Sequence, residues 1–121
     1  MTGETFEIEL RDQVVVARVQ MTDMTILEAD QLLAELLQYK DNIGGKYFVL
    51  DMSNVEFIDS ACIGALVTFL INIDKCEGKL SLACCLPEVK LLVELTGLAT
   101  HINLLDNVED AVKCMLPGST Q

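Results

Sequence analysis

Hydrophobic and polar positions alternate at the start of the chain: Phe6, Ile8 and Leu10 are separated by polar residues, Arg11-Asp12 supplies a turn, and Val14 to Val19 is a β-branched run. This pattern predicts a hairpin. The period then changes to that of a helix, with Ala29, Leu32, Leu33, Leu36 and Leu37 on one face behind Thr25-x-x-Glu28, a capping-box pattern. Gly44-Gly45 closes the connection, and Lys46 to Met52 reads as a central strand ending at Asp51. Met52 to Ile58 is a short connection, and Ala61 to Ile73, with no charged residue and no proline, is a buried helix. Leu80 to Cys84 is a second buried strand. Pro87 to Leu95 is a short helix with proline in its first turn and Gly97 just past its end. His101 to Leu105 is a last short strand and Val108 to Met115 a final amphipathic helix.

Strands interleaved with helices imply a largely parallel sheet covered by helices, and the opening hairpin makes it mixed. The expectation is a single α/β domain with a mostly parallel sheet of four to five strands and about four helices. Its core spans about residues 5–116, and residues 117–121 form a short flexible C-terminal tail. A chain of 121 residues can bury such a core without staples. The apolar stretch after Ser60 is too short to span a bilayer and no basic-then-apolar leader opens the chain, so a soluble, cytoplasmic protein is expected.

Charge narrows the partners. A net charge of −11, with only eight Lys and Arg scattered along the chain, argues against nucleic acid or an anionic membrane as a ligand. The expected partner is another protein. The five cysteines, Cys62, Cys76, Cys84, Cys85 and Cys114, form no C-x-x-C pair and lie far from the single histidine, His101. No metal site is expected; the cysteines read as reduced thiols packing as small hydrophobes, with redox sensing at vicinal Cys84-Cys85 the less favoured reading.

The candidate chemistry gathers at Ser60, where a strand and its connection give way to a helix. At or near the helix N-cap, its hydroxyl can accept a hydrogen bond from a first-turn N–H. The same place would also tolerate a phosphate, at the positive end of a helix dipole beside free backbone donors. Counted from a Ser60 cap, the third helical position is Ile63 rather than a repelling glutamate, and Asp59 is the one unfavourable neighbour. Enzyme readings fare worse. Ser60, Asp74 and His101 follow the chain order of an α/β-hydrolase triad, but no G-x-S-x-G elbow surrounds Ser60. Asp51 ends a central strand as a phospho-acceptor would, yet no acidic pair follows the earlier strand to hold Mg²⁺. Neither a P-loop nor a G-x-G-x-x-G turn is present, so no catalytic residue and no cofactor is expected.

Residues 49–66, V-L-D-M-S-N-V-E-F-I-D-S-A-C-I-G-A-L, resemble the signature of the STAS domain family (sulfate transporter and anti-sigma factor antagonist). In that signature a strand ends in aspartate and a short loop leads to D-S-[ST/A]-G-[LI]-G-x-L. Asp51, Asp59, Ser60, Ala61, Ile63, Gly64 and Leu66 match it, and Gly78-Lys79-Leu80, Pro87-Glu88-Val89 and Leu95-Thr96-Gly97-Leu98 resemble later family steps, so the resemblance covers nearly the whole chain. Two places depart from it: Cys62 where the family has glycine, and Val19-Gln20-Met21-Thr22 where many members have G-E-L-D. Cys62 is expected to add a side chain just where a partner would approach.

The resemblance implies an anti-sigma factor antagonist rather than an enzyme. Its unphosphorylated form would dock on an anti-sigma factor that is also a GHKL-type serine kinase, through Asp59, Ser60, Ala61, Cys62, Ile63 and Gly64, and so free a sigma factor for transcription. Phosphorylation of Ser60 would release it, and a metal-dependent serine phosphatase would restore it. The alternative is a STAS scaffold that does not switch, in a signalling assembly or as an accessory subunit of a lipid or anion transporter. Between the second strand and the first helix, Asp23 and Thr25 read as caps.

Overall fold

The alternation at the start of the chain folds as a hairpin: β1 (Phe6–Arg11), with Phe6 and Ile8 buried and Leu10 exposed, pairs antiparallel with β2 (Val14–Val19), Phe6 opposite Val19. The tight turn puts Asp12 at φ +57°, a left-handed value that aspartate tolerates better than most residues. In the computed structural model residues 5–116 are described, and the expected tail at 117–121 lies outside them.

After the hairpin, α1 (Ile26–Ile43) begins at the capping box: the Thr25 side chain accepts from Leu27 N–H, and the Glu28 carboxylate accepts from Thr25 N–H at 3.0 Å. It ends at Gly44, whose φ of +75° suits glycine and whose N–H closes on the Lys40 carbonyl. β4 (Tyr47–Asp51), β6 (Lys79–Ala83) and β7 (Asn103–Leu105) add in parallel, giving a five-stranded mixed sheet of order β1-β2-β4-β6-β7. The connections carry α2 (Ser60–Asp74), α3 (Pro87–Leu95) and α4 (Val108–Met115), which completes the single α/β domain with four α-helices.

The pleat sorts the core. Ile8, Val15, Ala17, Val19, Phe48, Leu50, Leu80 and Leu82 belong to the large cluster that takes in α1, α2 and α3. Val14, Val16, Val49 and Ala83 point to the opposite side and meet α4 through Ala111, Val112 and Met115. α2 has no charged stripe because Cys62, Ile63, Ala65, Leu66, Phe69 and Ile73 are all buried. Phe69 meets Phe48 edge-on, with ring centroids 4.9 Å apart. Burying each such large side chain contributes roughly 1.5–3 kcal/mol, so the α2–sheet contact is a main source of stability.

Four local expectations are corrected. His101 does not begin the last strand: residues Leu98–Thr100 form a 3-10 turn that His101 closes by donating to the Leu98 carbonyl, and the strand starts at Asn103. The connection after Asp51 is not irregular throughout, for β5 (Phe57–Ile58) pairs in parallel with β3 (Asp23–Met24) in a second, two-stranded ladder. Asp23 is therefore a strand residue; Thr25 alone is the cap. Only Cys62 packs as a fully buried hydrophobe, since Cys84 and Cys85 are half-buried and Cys76 and Cys114 exposed.

Candidate functional site

The small β3–β5 ladder sets the N-termini of α1 and α2 side by side. Met24 pairs with Ile58, and the next step along the ladder is the Asp59 N–H donating to the Met24 carbonyl at 3.0 Å. This places the Asp59 carboxylate between two helix starts. Its Oδ1 accepts from Cys62 N–H at 3.1 Å and caps α2, while its Oδ2 accepts from Ile26 N–H at 2.8 Å, in the first turn of α1. One carboxylate thus serves orphan donors of two helices, at the positive end of both dipoles.

Ser60 is accordingly not the N-cap but the first helical residue. The expected position at or near the cap is refined by one residue: Asp59 is the cap, its carboxylate accepting from both Cys62 N–H and Ile26 N–H. The third helical position becomes Cys62 instead of Ile63, and Asp59, the one unfavourable neighbour of a phosphate, is also the residue that caps the helix. Ser60 is exposed, and among the described residues its hydroxyl makes no hydrogen bond. With Cys62 N–H bonded to Asp59 Oδ1 and Ile63 N–H to the Asp59 carbonyl at 3.1 Å, the N–H groups of Ser60 and Ala61 are left without an acceptor among the described residues.

Of the six residues singled out in sequence, Ser60 and Gly64 are exposed and Asp59 and Ala61 half-exposed, whereas Cys62 and Ile63 face the core. The crowding expected of Cys62 does not occur. Its side chain is fully buried, and its thiol donates to the Thr25 carbonyl at 3.2 Å, a further link between the two helix starts. Burial, and then the negative charges of Asp59 and Glu28, push this thiol up to about 11, so near neutral pH it remains a protonated donor. Around Ser60 the surface is apolar and acidic: Ile26 is 70% exposed, Leu27 86% and Phe57 53%, with exposed Asp23 on the β3–β5 ladder and exposed Glu56 just before β5. The two-residue ladder that builds this surface leaves no signal in the sequence, because so short a pair has no periodicity.

Other candidate groups are not brought together. Ser60 and Asp74 are the first and last residues of α2, about 21 Å apart at the rise of an α-helix, and Asp74 shares a groove with His101 at the far end. No Ser-Asp-His triad is assembled. Asp51 is buried at the end of β4, where it accepts from Ser53 N–H at 3.0 Å and pairs with Arg18 at 3.4 Å. Among the described residues no three His, Cys, Asp or Glu side chains are grouped to hold a metal ion, and no helix is long and apolar enough to cross a membrane. Cys84, at φ +64°, packs with the α4-side cluster, whereas Cys85 packs with the main core. Burial raises both thiols, Cys85 to about 11, which is the opposite of what a reactive thiolate needs.

Comparison with known proteins completes the picture. Among solved structures, an anti-sigma factor antagonist from Mycobacterium paratuberculosis superposes with a TM-score of 0.81 at 23% identity, over 92% of each chain. The Bacillus cell fate determinant SpoIIAA in its phosphorylated form gives 0.70 at 16% identity, covering 92% of this chain and 99% of that one. The murine anion transporter Slc26a9 gives 0.72 at 18% identity over 83% of this chain but only 17% of the transporter. At these identities the likenesses speak for the fold. The family model described as the STAS domain matches residues 5–111, from the residue before β1 into α4, and on that match the chain belongs to the STAS domain family.

Proposed function

We propose that this STAS domain is an anti-sigma factor antagonist acting by partner switching in the bacterial cytoplasm. The observation that carries the reading is the state of Ser60: an exposed hydroxyl without a hydrogen bond among the described residues, on a helix start with two unused N–H donors. Solved relatives of the same fold bear the name of anti-sigma factor antagonist, and one of them, SpoIIAA, is known in a phosphorylated form. The unphosphorylated chain docks on an anti-sigma factor that is a GHKL-type serine kinase, with Asp59, Ser60, Ala61 and Gly64 at the contact and buried Cys62 and Ile63 supporting it from below. It binds rather than catalyses.

Phosphoryl transfer from the kinase's ATP to Ser60 reverses the docking, and a metal-dependent serine phosphatase restores it. Docking removes water from the first turn of α2. A phosphate of charge near −2 there must be stripped of hydration, at a cost of several kcal/mol. A loss of ~3 kcal/mol weakens a complex more than a hundredfold. The exposed Ile26, Leu27 and Phe57 suit an apolar partner surface, and the surrounding acids suit a basic rim on it.

The test uses wild type, Ser60→Ala and Ser60→Asp as parallel baits in host lysate, with retained proteins identified by mass spectrometry. Wild type and Ser60→Ala should retain a serine kinase that Ser60→Asp loses. The likeness to the STAS region of the Slc26a9 transporter supports a second reading, a scaffold or transporter accessory subunit that does not switch. Equal retention of one partner set by all three baits would decide for it.

A further inference from the structure

Asp59 does more than cap α2. Three hydrogen bonds run between residues 24–26 and 59–62: Asp59 N–H to the Met24 carbonyl at 3.0 Å, Ile26 N–H to Asp59 Oδ2 at 2.8 Å, and the Cys62 thiol to the Thr25 carbonyl at 3.2 Å. The first turn of α1, which carries exposed Ile26 and Leu27, is therefore held by the residue next to Ser60. The Thr25–Glu28 capping box does not involve the Ile26 N–H, which depends on Asp59.

Resting on the phospho-switch reading, we propose that Asp59 is the positioning residue through which the state of Ser60 is read at the start of α1. In the unmodified protein it holds the Ile26–Leu27 turn and the Ser60 turn as one platform for the partner. A phosphate on Ser60 takes up the unused N–H groups of Ser60 and Ala61 and sets a dianion beside the Asp59 carboxylate. Glu28, whose carboxylate accepts from the Thr25 N–H and hydroxyl, is a second anion whose charge is felt at Asp59. The added repulsion turns Asp59 Oδ2 away from Ile26 N–H and frees the first turn of α1. Phosphorylation then acts on the partner surface twice, by charge at Ser60 and by release of the apolar pair.

Asparagine at position 59 isolates the link. It caps helices as well as aspartate does, so its oxygen keeps the bond from Cys62 N–H. Its amide nitrogen then faces Ile26 N–H, donor against donor, and the bridge is lost. The experiment is heteronuclear NMR of isotopically labelled chain with phosphoserine incorporated at position 60 by codon reassignment, in wild type and in Asp59→Asn. In unmodified wild type the Ile26 amide should show scalar coupling across its hydrogen bond to the Asp59 carboxyl carbon. Phosphoserine should abolish that coupling and move the Ile26 amide proton upfield, with the Leu36 amide in mid-helix unchanged. Asp59→Asn should move Ile26 the same way without phosphate, and phosphoserine on that variant should add nothing at Ile26. Persistence of the coupling beside phosphoserine would overturn the proposal, as would its equal loss in Ser60→Ala. Because the measurement needs no partner, the lysate capture can fail while this coupling stands, or succeed while it falls.

Discussion

The two ends of α2 are closed by different means. At the C-terminal end the chain satisfies itself: Cys76 N–H and Gly78 N–H both donate to the Ile73 carbonyl, at 3.1 and 2.7 Å, and Glu77 N–H to that of Asp74. At the N-terminal end the helix is closed by Asp59, a side chain shared with α1, and its surface carries the unengaged Ser60 hydroxyl. An end closed by its own backbone responds to substitution with stability alone. An end closed by a shared carboxylate responds to charge, and that makes it a place where modification can be read.

The largest effect expected from this contrast lies at the C-terminal end. A Cβ on Gly78 would stand 2.5 Å from the Lys46 carbonyl oxygen and 2.8 Å from that of Ile73, both backbone atoms that cannot swing aside. Gly78→Ala should cost about 3 kcal/mol in urea unfolding, the upper range for overpacking, while leaving Ser60-dependent partner retention intact in whatever fraction folds. Loss of retention by the folded fraction would remove the division of labour between the two ends.

The N-terminal end should show itself next, through pH. Cys62 is pushed from an ordinary 9.0 up to about 11, so the unfolded thiol ionises first. Its contribution is complete below pH 9 and is lost as pH rises through 11. Two units correspond to roughly 2–3 kcal/mol. Urea titrations at pH 8 and pH 11 should show wild type losing this much more than Cys62→Ala; equal losses would mean that the thiol is not held protonated against Thr25.

The smallest effects separate adjacent residues. Asp59→Ala should cost about 1–2 kcal/mol, the range for a lost N-cap, and Ser60→Ala within about 0.5 kcal/mol, since its hydroxyl holds nothing among the described residues. A thermal-melt comparison decides it. A Ser60→Ala cost matching that of Asp59→Ala would return Ser60 to a capping role and weaken the case for a free phospho-acceptor.

The segments that sequence and structure agree on are those with many residues voting together. α1 from the Thr25 capping box to Gly44, the hairpin of β1 and β2, and α3 from Pro87 to Leu95 each repeat one period or carry a terminal residue with one good explanation. The misplacements fall on short pieces. His101 lies just ahead of the last strand in sequence, but a local hydrogen bond to the Leu98 carbonyl takes up its N–H in a 3-10 turn.

Amino-acid sequence by itself determined the alternation of strands and helices, the mixed sheet that follows from it, and the Asp59-Ser60 junction as the place to look. These follow from local periodicity and residue chemistry, which act along the chain. Only the tertiary structure decided that Asp59 rather than Ser60 caps α2, that Cys62 turns inward to Thr25, and that Ile26 shares the Asp59 carboxylate. Those choices depend on residues more than thirty positions apart meeting through a two-residue ladder, and geometry across such a distance leaves no periodic trace in either segment.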